Sequence, residues 1–213
     1  TAQQALAGKT GAIVVLDPST GAVIANASAP SYEARKLEEE WKALRADEDA
    51  PLLDRPMQGL YAPGSSFKVV TAAGALGAGV VTPETAFVDT GTFVIYGGKV
   101  TNYGGAVYGP HDFETALTQS INTTFGKVGD RLGRKRLVAT MQAFGFWDVP
   151  PIELPPGAVV ASGRYDDEGI VSPEAKMDPL AVAWAACGQE QVLASPLQMA
   201  LVASAVANGG VVM

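Results

Sequence analysis

The stretch Tyr61-Ala62-Pro63-Gly64-Ser65-Ser66-Phe67-Lys68-Val69-Val70-Thr71-Ala72-Ala73-Gly74-Ala75-Leu76-Gly77-Ala78-Gly79 holds a single charged residue, Lys68, and no other lies between Arg55 and Glu84. A helix over this stretch is small and apolar on every face, so it is predicted to be buried. Pro63-Gly64 sets the helix start at Ser65, where free backbone N–H groups and the helix dipole favour developing negative charge. At i, i+3 spacing Ser65 and Lys68 share one helical face, which brings the amine within reach of the hydroxyl. Burial disfavours the ammonium form and makes the lysine a proton acceptor. A hydroxyl nucleophile, an amine base and an oxyanion-favouring terminus are what acyl transfer requires. Ser-x-x-Lys alone is a weak signal in a chain with ten serines and eight lysines. The competing reading is a lysine that runs its stem along the apolar surface to reach water.

A second signal is Ser120-Ile121-Asn122, the only Ser-x-Asn in the chain. Asp112 is placed to cap a helix whose apolar residues Phe113, Leu117 and Ile121 recur every four positions, with Phe125 and Val128 extending the pattern. Residues two apart on a helix point to different sides. Ser120 and Asn122 can therefore face one cleft only if the backbone breaks between two helical segments there, and such a break is predicted. The alternative is that Ser120 is a capping residue and Asn122 an ordinary polar one.

Composition excludes several function classes. With 213 residues, 47% of them hydrophobic, 24 glycines and 14 prolines, the chain can bury a sizeable core between many turns. A net charge of -7 argues against nucleic acid as a partner, and Arg134-Lys135-Arg136 reads as a solvated helix face. One histidine, His111, and one cysteine, Cys187, make a His/Cys metal site improbable, and Cys187 among small residues reads as buried. A histidine triad would have to use His111, without any Gly-x-Ser-x-Gly elbow. No glycine-rich phosphate loop is present, so no cofactor is expected. The apolar run after Lys68 is shorter than the roughly 20 residues of a membrane span, and no signal peptide or anchor is seen.

Around these motifs the pattern predicts architecture. Residues 11 to 28 read as a hairpin turning at Asp17-Pro18-Ser19-Thr20-Gly21. Residues 33 to 49 read as a charged helix laid over the core by Leu37, Trp41 and Leu44. Phe93-Val94-Ile95-Tyr96 and Gly97-Gly98 suggest a strand and turn, and residues 134 to 144 a helix stopped by Gly145, followed by a proline-rich loop. Ser195-Pro196-Leu197-Gln198 has the form of a capping box with proline at the first helical position, and Asn208-Gly209-Gly210 ends that helix. Trp184, Phe144 and the methionines are expected in the core.

Taken together, Ser65-x-x-Lys68 and Ser120-x-Asn122 resemble the motifs of the penicillin-recognising serine acyltransferases. The run from Gly11 to Ala25 resembles the opening hairpin of class B penicillin-binding protein transpeptidase domains. So do Ala29-Pro30-Ser31-Tyr32, Tyr61 to Lys68, Asn102-Tyr103-Gly104-Gly105, Gly188-Gln189, Ser195 to Ala200 and Ala207 to Gly210. The details look most like the actinobacterial A-type proteins of that class.

The resemblance implies an α+β fold of the β-lactamase/transpeptidase type, an antiparallel sheet packed with helices plus an all-helical subdomain. Residues 1 to 213 would be the N-terminal part of one transpeptidase domain, with the sheet hairpin in 1 to 28 and a mainly helical region carrying both motifs in 29 to 213. The family's third motif, Lys-Thr-Gly, follows the other two and does not occur after Asn122; Lys9-Thr10-Gly11 leads into the hairpin and reads as coincidental, a circularly permuted order being the alternative. The sheet is thus expected to be incomplete and to need the C-terminal part of the same domain. In the family one oxyanion donor comes from that strand, and losing such a donor costs about 10²- to 10³-fold in rate, so this segment alone is expected to be inactive.

The implied activity is peptidoglycan D,D-transpeptidation at the extracytoplasmic face of the bacterial membrane. Ser65 would be the nucleophile, Lys68 its base, Ser120 a proton relay and Asn122 a substrate-binding residue. Implied partners are stem peptides ending in D-Ala-D-Ala, β-lactam antibiotics and other cell-wall or division proteins. A β-lactamase of the same fold, a β-lactam sensor, a D,D-carboxypeptidase and a catalytically dead scaffold are the alternatives.

Overall fold

The computed structural model describes residues 1–213. In chain order its elements are α1 (Ala2–Ala5), β1 (Gly11–Leu16), β2 (Val23–Ala29), α2 (Leu37–Ala46), α3 (Arg55–Gln58), α4 (Lys68–Gly77), β3 (Ala86–Asp89), β4 (Thr92–Ile95) and β5 (Gly98–Thr101). They continue with β6 (Gly109–Asp112), α5 (Phe113–Thr118), α6 (Asn122–Ala143), β7 (Gly163–Asp166), β8 (Gly169–Val171), α7 (Pro179–Ala185), β9 (Val192–Leu193) and α8 (Pro196–Ala207). Two compact units result, one from residues 1–61, 149–162 and 194–213, the other from residues 62–148 and 163–193.

In the first unit β1 and β2 form the expected antiparallel hairpin, paired from Gly11↔Ala29 to Val15↔Ala25. Its turn is set by Asp17, whose carboxylate accepts from the Ser19 N–H at 2.9 Å and the Ser19 hydroxyl at 2.7 Å. Such a side-chain turn competes with strand continuation and ends β1 there. Helix α8 starts where the Ser195 hydroxyl accepts from the Gln198 N–H at 3.1 Å, with Pro196 at the first helical position. Met57, Val159 and Leu197 are buried together, and Val14, Leu16, Ile152 and Leu201 pack against them. Helix α2 forms as expected but buries no residue, and Trp41 is 46% exposed. Its ring is covered instead by the Arg45 guanidinium, 5.8 Å from the centroid, so charge and aromatic surface on one helix satisfy each other and the helix is not laid over the core.

The second unit is organised around aromatic rings. Phe113 stands between Phe87 and Phe125, with centroids 6.4 and 5.6 Å away, and all three are buried beside Ile121, Val128, Val100, Ala72 and Ala75. Helix α6 packs on both α4 and α7. Short antiparallel ladders join this helical core: β3 with β6, the β4–β5 hairpin, and the sheet β8-β7-β9. The β4–β5 turn has positive φ at both Tyr96 (48°) and Gly97 (77°), the pattern that matches strand twist in a two-residue hairpin.

Three expectations need correction here. Leu117 is 39% exposed, and the residues of α5 that face the core are Phe113 and Ala116; α5 ends at Thr118, before a four-residue apolar row can be completed. The helix over residues 134 to 144 is the second half of α6, set off by Gly133 at φ 74° and ψ 158°, and Arg134 is not simply solvated, since its guanidinium donates to the Pro173 carbonyl at 3.0 Å. Phe144 is half-buried and Phe146 takes the core position, edge-on to Phe67 at 5.6 Å.

Truncating the central ring, Phe113→Ala, is expected to cost about 3–5 kcal/mol through lost burial and the cavity left behind. Equilibrium urea unfolding measures it; a loss below 1 kcal/mol would show that the ring is not central to the unit.

Candidate active site

The turn that carries Ser65 is a 3-10 segment, Gly64–Phe67, that runs directly into α4. Its tightness is held by the Ser66 hydroxyl, which donates to the Pro63 carbonyl at 2.7 Å. Phe67 points into the core with no exposure, and Ser65 faces solvent with its hydroxyl free of hydrogen bonds. Lys68, in the first turn of α4, is 1% exposed. The stem does not carry the amine to water, which removes the competing reading of this residue.

What the amine meets is supplied from the α5–α6 junction. The Asp112 carboxylate caps α5, accepting from the Thr115 N–H at 2.8 Å. The chain then turns through Ser120 at φ 57° and the extended Ile121 before α6 begins at Asn122. This is the predicted break, and it directs both polar side chains to one point. The Lys68 Nζ donates to the Ser120 carbonyl at 2.7 Å, the Ser120 Oγ at 3.0 Å and the Asn122 Oδ1 at 2.6 Å. Asn122 is oriented in turn by its Nδ2, which donates to the Thr101 carbonyl at 3.0 Å.

The chemistry of this cluster follows from donor arithmetic. An ammonium has three protons and no lone pair, and here all three have acceptors. None is left for Ser65, which explains why the expected contact between the Ser65 hydroxyl and the amine is not a hydrogen bond; such contacts commonly tighten only in the reacting complex. Every acceptor is uncharged. Burial therefore pushes the Lys68 pKa below the ordinary lysine value. Cys187 lies close enough to raise it as a thiolate, but burial pushes its own pKa up to about 12, so it is a neutral thiol near pH 7 and gives little opposing charge. Once the amine is neutral, it has a lone pair that must be satisfied. Among the three partners only the Ser120 hydroxyl can reverse its role and donate, because the other two are carbonyl oxygens.

A third segment, residues 186–188, holds these pieces together. The Thr71 hydroxyl of α4 donates to the Ala186 carbonyl at 2.8 Å, Cys187 Sγ donates to the Asn122 carbonyl at 3.5 Å, and the Gly64 N–H donates to the Gly188 carbonyl at 2.8 Å. Gly188 has φ 73°, and a Cβ there would overlap the Gly64 carbonyl oxygen and come within 2.6 Å of the Phe67 Cβ. Sequence reading noted Gly188 without giving it this role; the signal was a glycine shortly after the end of α7, beyond the small residues Ala186 and Cys187. His111 is not in the cluster: its Nδ1 faces the Gly109 carbonyl and its Nε2 the Thr124 hydroxyl, both at 2.8 Å. No group of three or more His, Cys, Asp or Glu side chains is arranged to hold a metal.

The model of the penicillin binding protein transpeptidase domain matches residues 11–213. The peptidoglycan D,D-transpeptidase PbpA of Mycolicibacterium smegmatis is 36% identical over 216 residues, covering 95% of this chain and 42% of the relative. The D,D-transpeptidase domain of a peptidoglycan glycosyltransferase from Eggerthella lenta superposes with a TM-score of 0.88 at 38% identity, over 99% of this chain and 52% of that one. The penicillin G acyl-enzyme complex of penicillin-binding protein A from M. tuberculosis superposes at 0.85 with 32% identity, over 99% of this chain and 49% of that one. The chain thus spans less than half the length of PbpA.

The close approach at Gly188 is open to a direct test. Gly79 shares the left-handed conformation, at φ 65°, but nothing lies within 4 Å of a Cβ there. Gly79→Ala is expected to lose about 1–2 kcal/mol for backbone strain alone, and Gly188→Ala distinctly more in urea unfolding. Equal losses would mean that the Ser65 turn does not rest on residue 188.

Proposed function

The chain belongs to the penicillin-binding protein transpeptidase domain family, and from that premise we propose that the protein carrying it crosslinks peptidoglycan as a serine D,D-transpeptidase. Its substrates are stem peptides ending in D-Ala-D-Ala, and β-lactams inhibit it by acylation. The observation that carries this reading is a buried lysine held by three uncharged oxygens beside an exposed serine.

Ser65 Oγ attacks the carbonyl between the two terminal D-alanines. The neutral Lys68 amine takes the hydroxyl proton as the O–C bond forms. The proton passes through the Ser120 hydroxyl to the leaving nitrogen, the C–N bond breaks, and D-alanine departs. Asn122 hydrogen-bonds the substrate amide while its Oδ1 keeps the amine in place. The acyl group then moves to the amine of a second stem peptide, which restores the Ser65 hydroxyl. A β-lactam enters the same path, but its leaving nitrogen stays tethered and blocks the second step. The backbone N–H of Ser65 stabilises the oxyanion, and the resemblance assigns a further donor to a Lys-Thr-Gly strand.

This chemistry places the protein at the extracytoplasmic face of the cell membrane, among other cell-wall proteins. No helix of this chain is long and apolar enough to cross a membrane. The naming of PbpA as a D,D-transpeptidase and the penicillin G acyl-enzyme of the M. tuberculosis protein favour this reading over a β-lactamase or a sensor.

Intact-mass spectrometry of the full-length gene product with benzylpenicillin, followed by peptide mapping, tests it. A persistent adduct on Ser65 is expected, none with Ser65→Ala, and acylation slower by about 10²-fold or more with Lys68→Ala. An adduct elsewhere, or Lys68→Ala at the normal rate, sinks the assignment.

The pH dependence has a definite sign. Acylation needs the neutral amine and burial lowers its pKa, so the rate should fall as pH drops through a midpoint below the ordinary lysine value of about 10.4. For the same reason the folded state binds this proton less well than the unfolded chain, and the cost of burying Lys68 is relieved as pH rises from the lowered value toward the ordinary one. A rate independent of pH from 6 to 10, tested in steps of about one unit, would remove Lys68 from the proton path.

A further inference from the structure

The Lys68 cluster depends on Asn122 presenting its oxygen and not its nitrogen to the amine, and the α6 N-terminus has no side chain of its own to hold it. The N-cap position is Ile121, which cannot accept a hydrogen bond. The missing acceptor comes from Asn102, whose Oδ1 takes the Thr123 N–H at 3.1 Å. The Nδ2 of Asn102 has two protons and both are used, one on the Ala106 carbonyl at 2.9 Å and one on the Asp89 Oδ2 at 2.9 Å.

Asp89 is the node of this arrangement. It closes β3, is 1% exposed, and forms no ion pair. A carboxylate in that position is costly unless its lone pairs are filled. Four donors fill them: the Gly91 N–H at 2.8 Å, the Tyr108 N–H at 2.8 Å, the Asn102 Nδ2, and the Thr123 hydroxyl at 2.6 Å. Burial alone would raise its pKa, but these donors outweigh burial and hold it below the usual carboxylate range. Thr123 is thus bound twice, by its N–H to Asn102 and by its hydroxyl to Asp89. Its neighbour Asn122 is bound to Thr101, the residue before Asn102. The 101–102 segment and the first turn of α6 are locked in register, and one anion locks both.

We propose that Asp89 is a positioning residue for the Lys68–Ser120–Asn122 cluster, acting through Asn102 and Thr123 on the orientation of the Asn122 carboxamide. It touches neither substrate nor reacting atoms. The inference rests on the acyl-transfer reading above.

The test separates the acylation rate constant from the dissociation constant of the initial benzylpenicillin complex, by stopped-flow on the full-length protein. Thr123→Val removes the hydroxyl at nearly constant volume, and Asp89→Asn puts an N–H₂ group where four donors converge. Both are expected to slow acylation by about 10- to 100-fold, as misplacement of a supporting group does, with a much smaller change in initial binding. Thr123→Ser, which keeps the hydroxyl, is expected to restore most of the rate. Val138→Ala, in the second half of α6 and away from the site, is expected to lower Tm and leave the rate unchanged.

Acylation at the normal rate in Thr123→Val and Asp89→Asn would overturn the inference, as would a rate loss that Thr123→Ser does not rescue. If Asp89→Asn does not fold, the Thr123 pair decides alone. Failure of the unaltered protein to form any adduct would instead overturn the acyl-transfer reading, and this inference with it.

Discussion

The second unit is arranged around one electrostatic constraint, a primary amine taken out of water with no counter-ion. Burying a charge without a partner is among the most expensive things a fold can do, and this one offsets it with three uncharged oxygens, all contributed by a non-helical break in the chain. The left-handed Ser120 delivers two acceptors, its carbonyl and its hydroxyl, and the extended Ile121 with the late start of α6 brings the third, Asn122 Oδ1, to the same nitrogen. A continuous helix from residue 113 to 143 would spare the backbone strain at Ser120. It would also send Ser120 and Asn122 to different sides and leave the amine unpaired.

Neutral acceptors leave the protonation state adjustable. A carboxylate at the same distance would hold the proton on the lysine, whereas carbonyl and hydroxyl oxygens bind the ammonium without fixing its charge. The Phe125 ring, 5.3 Å from Nζ, adds weak attraction for the cation and no charge. The buried anion of the unit, Asp89, forms no ion pair and is occupied by four other donors. Charge is thus present in the unit, but no anion pairs with the Lys68 nitrogen.

Much of this was legible in the sequence, and the parts that were not share a cause. Lys68 stood out because charge is rare in apolar surroundings, and the break at Ser120 followed from helical geometry once both side chains had to face one cleft. The hairpin, the Asp112 and Ser195 caps and the turn after Phe93-Val94-Ile95 are local devices, written in a few adjacent residues, although that turn falls at Tyr96-Gly97 and not at Gly97-Gly98. Asp89, Asn102, Thr123 and Gly188 were not assigned roles because their partners are long-range. An aspartate at a strand end next to Thr90-Gly91 reads as a turn residue, and nothing nearby tells that its carboxylate will accept from a threonine 34 positions on. Helix α2 failed for the converse reason: its spacing was helical, but spacing does not say whether a surface exists to receive the apolar side.

The segment 186–188 gives the unit a timetable. A ribosome releases the chain from its N-terminus, so Ser65, Lys68, Ser120 and Asn122 all emerge before the carbonyl of Gly188 exists to receive the Gly64 N–H. Until then the Ser65 turn lacks this hydrogen bond, and the Thr71 hydroxyl of α4 lacks its acceptor at Ala186. A nascent chain halted between residues 122 and 186 carries Ser65, Lys68, Ser120 and Asn122 yet lacks the support that α4 and its turn rest on. Support for the Ser65 turn and α4 is therefore acquired late in the synthesis of this unit, long after the residues it holds have been made.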